Sequence, residues 1–350
     1  YALALSVGGN FDLQAGATIA LASKGYLGGI YPNQGSGPAG GEPADGSNEG
    51  GGGGGHGGFG GYGESQTGAA VGAYDSVSTP ADLGSGGGCP YDSGGGIKGG
   101  DGGGLLVLSG GGIFSANGLV DANGGMGNSG SQAGGGGGGG GVRVTAATLA
   151  GSGTIRADGG AGQNAGANLG AGGGGGRVAI RATAADSFTG TVTAEPGPRG
   201  GNGATNGGAG TLWRKRPTQD DFDLSIVAAS TAAGQITPIY SSAALAGCDL
   251  LTVDRAWLEI GGAANFSLDN VTLKPGALLS HSTNTATKAA LIDWAVTGDF
   301  DLQAGATISA AGRGYEGGIY PTVASGPGGG APSDGSTEGG GGAGHGGIGG

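Results

Sequence analysis

Residues 134–141 are eight consecutive glycines, and a run like that narrows what the chain can become. It has no side chains to bury. Fixing one residue's backbone costs roughly 1–2 kcal/mol, so ordering this run costs on the order of 8–16 kcal/mol, and glycine loses more freedom than other residues. Only two outcomes are consistent with that cost. Such tracts are disordered loops, or they are held by their own main chain against other main chains. In the second case the natural conformation is polyproline II, which makes no internal hydrogen bonds and turns its N–H and C=O groups outward. Without Cβ atoms, neighbouring backbones can then approach and bond at about 1 kcal/mol net per bond.

The run is one of several. Gly-rich spans cover 24–103, 123–141, 157–176 and 196–210, and the chain holds 97 Gly and 13 Pro in 350 residues. Without a three-residue collagen period, that content usually marks low-complexity sequence. Charge argues the other way. Charged residues are 11% and hydrophobic residues 36%, whereas disordered chains are normally charge-rich and apolar-poor. We therefore expect ordered Gly packing.

Two repeats organise the chain. FDLQAGATIALASKGYLGGIYP begins at Phe11 and FDLQAGATISAAGRGYEGGIYP at Phe300, a gapless offset of 289 residues with 37 identities over 51 positions. His56 thereby maps to His345, and Phe59 to Ile348. Inside this unit runs a shorter repeat. Strand-like segments leave the Gly tracts at Leu105, Val142, Arg177 and Thr211, spaced 37, 35 and 34. A second series places Val120, Ile155 and Val192 at spacings of 35 and 37, with Ile19 and Ile308 at the same place in the long repeat. Alternation in GVRVTA and GRVAIRA is that of half-buried strands, and Gly at this density disfavours helix.

The expectation is therefore an all-β fold, a parallel β-solenoid with long Gly-rich, polyproline-II-like excursions packed on one side. Residues 1–217 form its Gly-rich part, 218–297 a Gly-poor β part, and 298–350 the start of the next 289-residue repeat. The pattern GSGTIRADGGAG…GGGGGRVAIRATAADSFTGTVTAEPG resembles the glycine-rich β-solenoid repeats of very large bacterial surface and extracellular proteins, best over 104–215. The tracts also resemble Gly-rich polyproline-II bundle proteins, though the strict three-residue Gly spacing is broken here. These resemblances imply a structural or adhesive role and no catalytic residues.

Chemistry-bearing motifs are sparse. GxGxxG occurs by composition alone, and no P-loop or catalytic pair of carboxylates is recognisable. The expectation is no enzyme activity, no catalytic residues and no bound cofactor. His56 and His345 read as hydrogen-bonding caps of a Gly layer, with a metal bridge between repeats as the alternative. Glu42, Asp45 and Glu49, two of them repeated as Asp334 and Glu338, read as a solvated acidic face, with a calcium site as the alternative. Asn265 and Asn270 open glycosylation sequons. Cys89 and Cys248 fit one long-range disulfide or two buried thiols. Arg214-Lys215-Arg216 reads as a solvated turn.

A net charge of −12 disfavours nucleic acid and anionic membranes as partners, and no run is long enough to span a bilayer. The function expected is a structural repeat unit of a long extracellular filament or cell-surface fibre, partnered by tandem or self-associated copies. An adhesive, ice- or glycan-binding module is the first rival. A regular array of Thr154, Thr191 and Thr193 would favour it. A polysaccharide-acting enzyme on a β-helix is the second.

Overall fold

The computed structural model describes residues 1–46, 49–66, 71–91, 96–130, 132–166, 168–229, 234–241, 244–333 and 340–345; within these, the side chains of 263–265 are not described. No α-helix occurs among the described residues, which form twenty strands. In the first half these are β1 (Ala2–Val7), β2 (Phe11–Leu13), β3 (Thr18–Ala20), β4 (Leu105–Gly110), β5 (Ile113–Ala116), β6 (Leu119–Asp121), β7 (Gly141–Gly151), β8 (Thr154–Arg156), β9 (Arg177–Phe188), β10 (Thr191–Thr193) and β11 (Thr211–Lys215). The second half contributes β12 (Phe222–Val227), β13 (Ile236–Ile239), β14 (Cys248–Asp254), β15 (Trp257–Ile260), β16 (Ala263–Leu273), β17 (Leu278–His281), β18 (Leu291–Val296), β19 (Phe300–Leu302) and β20 (Thr307–Ser309).

They assemble into three sheets. A twelve-stranded sheet runs β1-β4-β7-β9-β11-β12-β14-β16-β18, with β2, β5 and β19 alongside. Two four-stranded sheets, β3-β6-β8-β10 and β13-β15-β17-β20, are all parallel. Like residues sit in ranks across them. Ile19, Val120, Ile155 and Val192 are register partners in turn, as are Leu3, Leu106, Val142, Val178 and Leu212. The short repeat is thus one strand step per copy. Each rank buries its apolar residues only because the next rank covers them, giving one core around Leu106, Val144, Leu149 and Ile155 and another around Leu224, Leu251, Leu258 and Leu279.

The parallel β-solenoid expected from the sequence, with its excursions packed on one side, is overturned. The strands lie in separate sheets that are neither closed nor curled into a solenoid, and the large sheet is mixed. Its direction inverts where β11 pairs antiparallel with β12, Trp213 opposite Leu224. Two physical causes are visible. The turn at 216–221 folds the chain straight back on itself, where Arg216 N–H donates to Gln219 Oε1 and Gln219 N–H to the Arg216 carbonyl. In addition, the Gly-rich part of each short repeat supplies no side chains to wall a coil.

Those Gly-rich segments bond to one another instead. In the tract 134–141, Gly135 and Gly138 donate to Gly88 and Ser85, Gly136 and Gly139 to Ala171 and Gly174, and Gly137 and Gly140 to Gly125 and Ala122, at 2.8–3.0 Å. Its carbonyls accept from three further segments. Gly100 and Gly103 donate to Gly135 and Gly138, Gly54 to Gly136, and Gly160 and Gln163 to Gly137 and Gly134. The tract therefore has six main-chain neighbours, and its donors rotate among three of them with a period of three, the periodicity of a polyproline-II strand. Contact is so close that a Cβ built on Gly137 would lie 2.2 Å from the Asp101 carbonyl oxygen, and one on Gly135 2.0 Å from that of Gly52. Glycine is required here by space, and the bonds leave few buried amides unpaired.

Candidate functional site

The His kept in the long repeat marks the most elaborate polar cluster in the Gly-rich body. The tract 50–63 threads among the segments 133–139, 172–176 and 205–208, and His56 is fully buried between them. Its Nδ1 lies 2.8 Å from the Gly139 carbonyl oxygen and its Nε2 3.3 Å from Asp75 Oδ2. A carbonyl can only accept, so Nδ1 carries a proton. The ring packs on Tyr74 with centroids 4.8 Å apart. Residues 71–83, a Gly-poor island, supply the partners: Asp75 has φ 71° and folds its carboxylate back onto the amides of Ser76, Ala81 and Asp82 at 2.7–3.2 Å. Burial would raise the Asp75 carboxyl, but the His56 and amide hydrogen bonds outweigh it and hold it at about 2. Burial pushes the Tyr74 phenol up. Its hydroxyl meets the Leu83 carbonyl and Ser85 Oγ.

Arg177 completes the cluster. It is 3% exposed, donates from Nε to the Tyr74 carbonyl at 2.8 Å and from a terminal nitrogen to Thr211 Oγ1 at 3.1 Å. Desolvation lowers its guanidinium to about 10. Arg177, Tyr74 and Asp75 line one wall of a cleft of about 530 Å³, with Ile239 and Tyr240 among its other lining residues. The arrangement fastens: His56 ties its own tract, the 134–141 tract and the 71–83 island to one point. Its groups are consumed by each other, and nothing in it is poised as a nucleophile beside a base.

The other sequence candidates fall elsewhere. Among the described residues no group of three or more His, Cys, Asp or Glu side chains is placed to hold a metal ion. His345 is exposed. Glu42, Asp45 and Glu49 come together on a different cleft of about 340 Å³ with Tyr62 and Gln66, and Glu49 Oε2 is taken by the Asp45 amide at 3.0 Å. Asp334, Glu338 and Ile348 lie outside the described residues. Asn270 uses its side chain as a rung, donating to the Asp249 carbonyl and accepting from the Asp299 amide. The Asn265 side chain is not described. Cys89 and Cys248 are separate buried thiols, and burial pushes Cys248 up to about 12. Arg214 and Arg216 are both paired with acids, Arg214 by a two-pronged contact to Asp186 at 2.7 and 2.8 Å.

The threonine array that would favour a binding surface is interrupted. Thr18, Leu119, Thr154 and Thr191 share one rank, and Ala20, Asp121, Arg156 and Thr193 another. Arg156 and Asp121 are ion-paired at 2.8 Å. No helix among the described residues is long and apolar enough to cross a membrane.

Sequence reasoning singled out His56 but missed Tyr74, Asp75 and Arg177. The one signal for Tyr74 and Asp75 was the island AYDSVSTPAD itself, a polar, Gly-poor stretch between two tracts, and Arg177 carried only its place at the start of a strand. Comparison with known proteins adds no identity: no family model, no curated protein and no solved structure matches the chain.

Proposed function

We propose that this chain is a structural repeat unit of a long extracellular filament or cell-surface fibre, with a mechanical or scaffolding role. The observation that carries the reading is the hydrogen-bonded body of Gly segments. Six main chains packed around a seventh without intervening side chains make a stiff element, and each short repeat adds to it in register with the sheets. The polar groups of the His56 cluster inside it satisfy one another, as burial away from water requires. The broken threonine ranks give the adhesive or ice-binding alternative no specific support. Self-association or tandem linkage of units, and a location outside the cell, belong to the same proposal.

Electron microscopy of the native material, with immunogold labelling of intact cells, tests it. Labelled filaments at the cell surface are expected. Compact dispersed particles, or turnover of an acidic glycan by the purified chain, would overturn it.

A further inference from the structure

The two copies of the long repeat fold alike internally and differ in what covers them. Their local hydrogen bonds correspond at the 289-residue offset. Ala17 to Gln14 matches Ala306 to Gln303, Ser36 to Leu27 matches Ser325 to Glu316, Gly52 to Glu42 matches Gly341 to Ala331, and Gly55 to Ala39 matches Gly344 to Gly328. The strands correspond too, β1, β2 and β3 to β18, β19 and β20. Yet the first layer pairs with strands on its C-terminal side, β4, β5 and β6. The second layer pairs with strands on its N-terminal side, β16 and β17. Each shows the edge that the other hides. Exposure differs accordingly: Leu13 is 6% exposed and its counterpart Leu302 49%. His56 is fully buried, while His345 is exposed.

We propose that the open face of the second copy, Leu291–Ser309 together with His345, is the seat of another unit of the same 289-residue repeat. This rests on the fibre reading and gives it a geometry. The occupant is set by continuity, because the same molecule contains the covered version of the same surface. Leu291–Val296 pairs with the next unit's counterpart of Leu105–Gly110, Phe300–Leu302 with that of Phe114–Ala116, and Thr307–Ser309 with that of Leu119–Asp121, in the registers of the first copy. His345 enters the next unit's Gly139 and Asp75 counterparts, as His56 does here. From β1 to β18 the large sheet takes eight strand steps. At about 4.8 Å per step, one unit rises about 38 Å. The single antiparallel junction, β11 to β12, inverts strand direction once per unit. Successive units are therefore turned by about half a turn, apart from accumulated sheet twist, and the full period spans two units, about 77 Å.

The test compares the 350-residue chain with the same chain continued past Gly350 by counterparts of residues 62–350. The expected result is at least about 100-fold slower amide exchange at Phe300–Ser309 in the longer chain. His345 should lose its reactivity toward diethyl pyrocarbonate, and electron cryomicroscopy should show an unbroken strand ladder with the rise given above. Unchanged exchange together with a reactive His345 overturns the seating, whether or not native filaments are seen. Protection in the longer chain with no filament in the native material leaves the seating standing and removes the fibre reading instead.

Discussion

The Gly-rich body around 134–141 and the apolar core of the Gly-poor half are held together by opposite means. In the second, Leu224, Leu251 and Val271 form one rank and Ile226, Val253 and Leu273 the next, all buried. Side chains carry that stability, at about 25 cal/mol per Å² of apolar surface removed from water. In the Gly-rich body the main chain carries it, through tract-to-tract bonds shared among six neighbours. The difference predicts different tolerances. An apolar core accepts swaps that conserve volume. Where backbones already touch, as at Gly135 and Gly137, there is no room for a side chain, whatever its polarity.

Gly137→Val is the largest test of that contrast. The added Cβ alone would sit 2.2 Å from the Asp101 carbonyl oxygen and 2.5 Å from its carbon, both rigid main chain. Loss of more than about 5 kcal/mol is expected, read as failure to fold or as collapse of the denaturation midpoint. A variant with unchanged stability and amide exchange would mean the tracts are loops. Leu251→Ala should cost about 2–5 kcal/mol through its cavity, while Leu251→Met should cost less than about 1.5 kcal/mol. Near-equal losses for Met and Ala there would erase the distinction.

The His56 cluster sharpens the comparison, because it is where side chains do enter the Gly-rich body. His56→Ala removes the partner of the Gly139 carbonyl and of Asp75 and should cost about 3 kcal/mol in equilibrium unfolding. The Asp75 carboxyl is held at about 2, below its ordinary 3.8. A carboxyl depressed in the folded state stabilises above its unfolded value, and that stability is lost as pH falls from about 4 to about 2, an effect of about 2 kcal/mol. Unfolding measured across that window should show the loss in the native chain and its absence in Asp75→Asn. Parallel curves for the two would remove Asp75 as the source.

What could be read from the sequence divides along the same line. The ranks Val120, Ile155 and Val192 were legible because strand alternation and a fixed spacing are properties of side chains, which the sequence states directly. The paths of the Gly segments were not. Nothing in eight identical residues says that Gly138 donates to Ser85 while Gly139 donates to Gly174, since those choices depend on where distant tracts arrive. The antiparallel junction was missed for a related reason: the turn at 216–221 carries no glycine of its own, and RKRPTQDDF reads as a solvated charged stretch until Asp186 and Asp223 are seen holding Arg214 and Arg216. His56 was visible as a repeated residue, but Asp75 was not tied to it, because it stands nineteen positions further along the sequence with no periodicity to link the two.

The smallest expected effect is the control on the whole comparison. Gly9 has no atom within 4 Å of where a Cβ would stand, and its φ is not among the positive ones. An alanine there meets neither main chain nor strain. It also reduces the freedom of the unfolded chain, which stabilises by roughly 0.4–1 kcal/mol where the backbone permits. Gly9→Ala should therefore raise the denaturation midpoint slightly or leave it unchanged, while Gly135→Ala, the same chemical change inside the Gly-rich body, should lower it steeply. Composition treats the two glycines alike. If the two variants behaved alike, glycine in this chain would be a matter of composition, and if they diverge it is a matter of place.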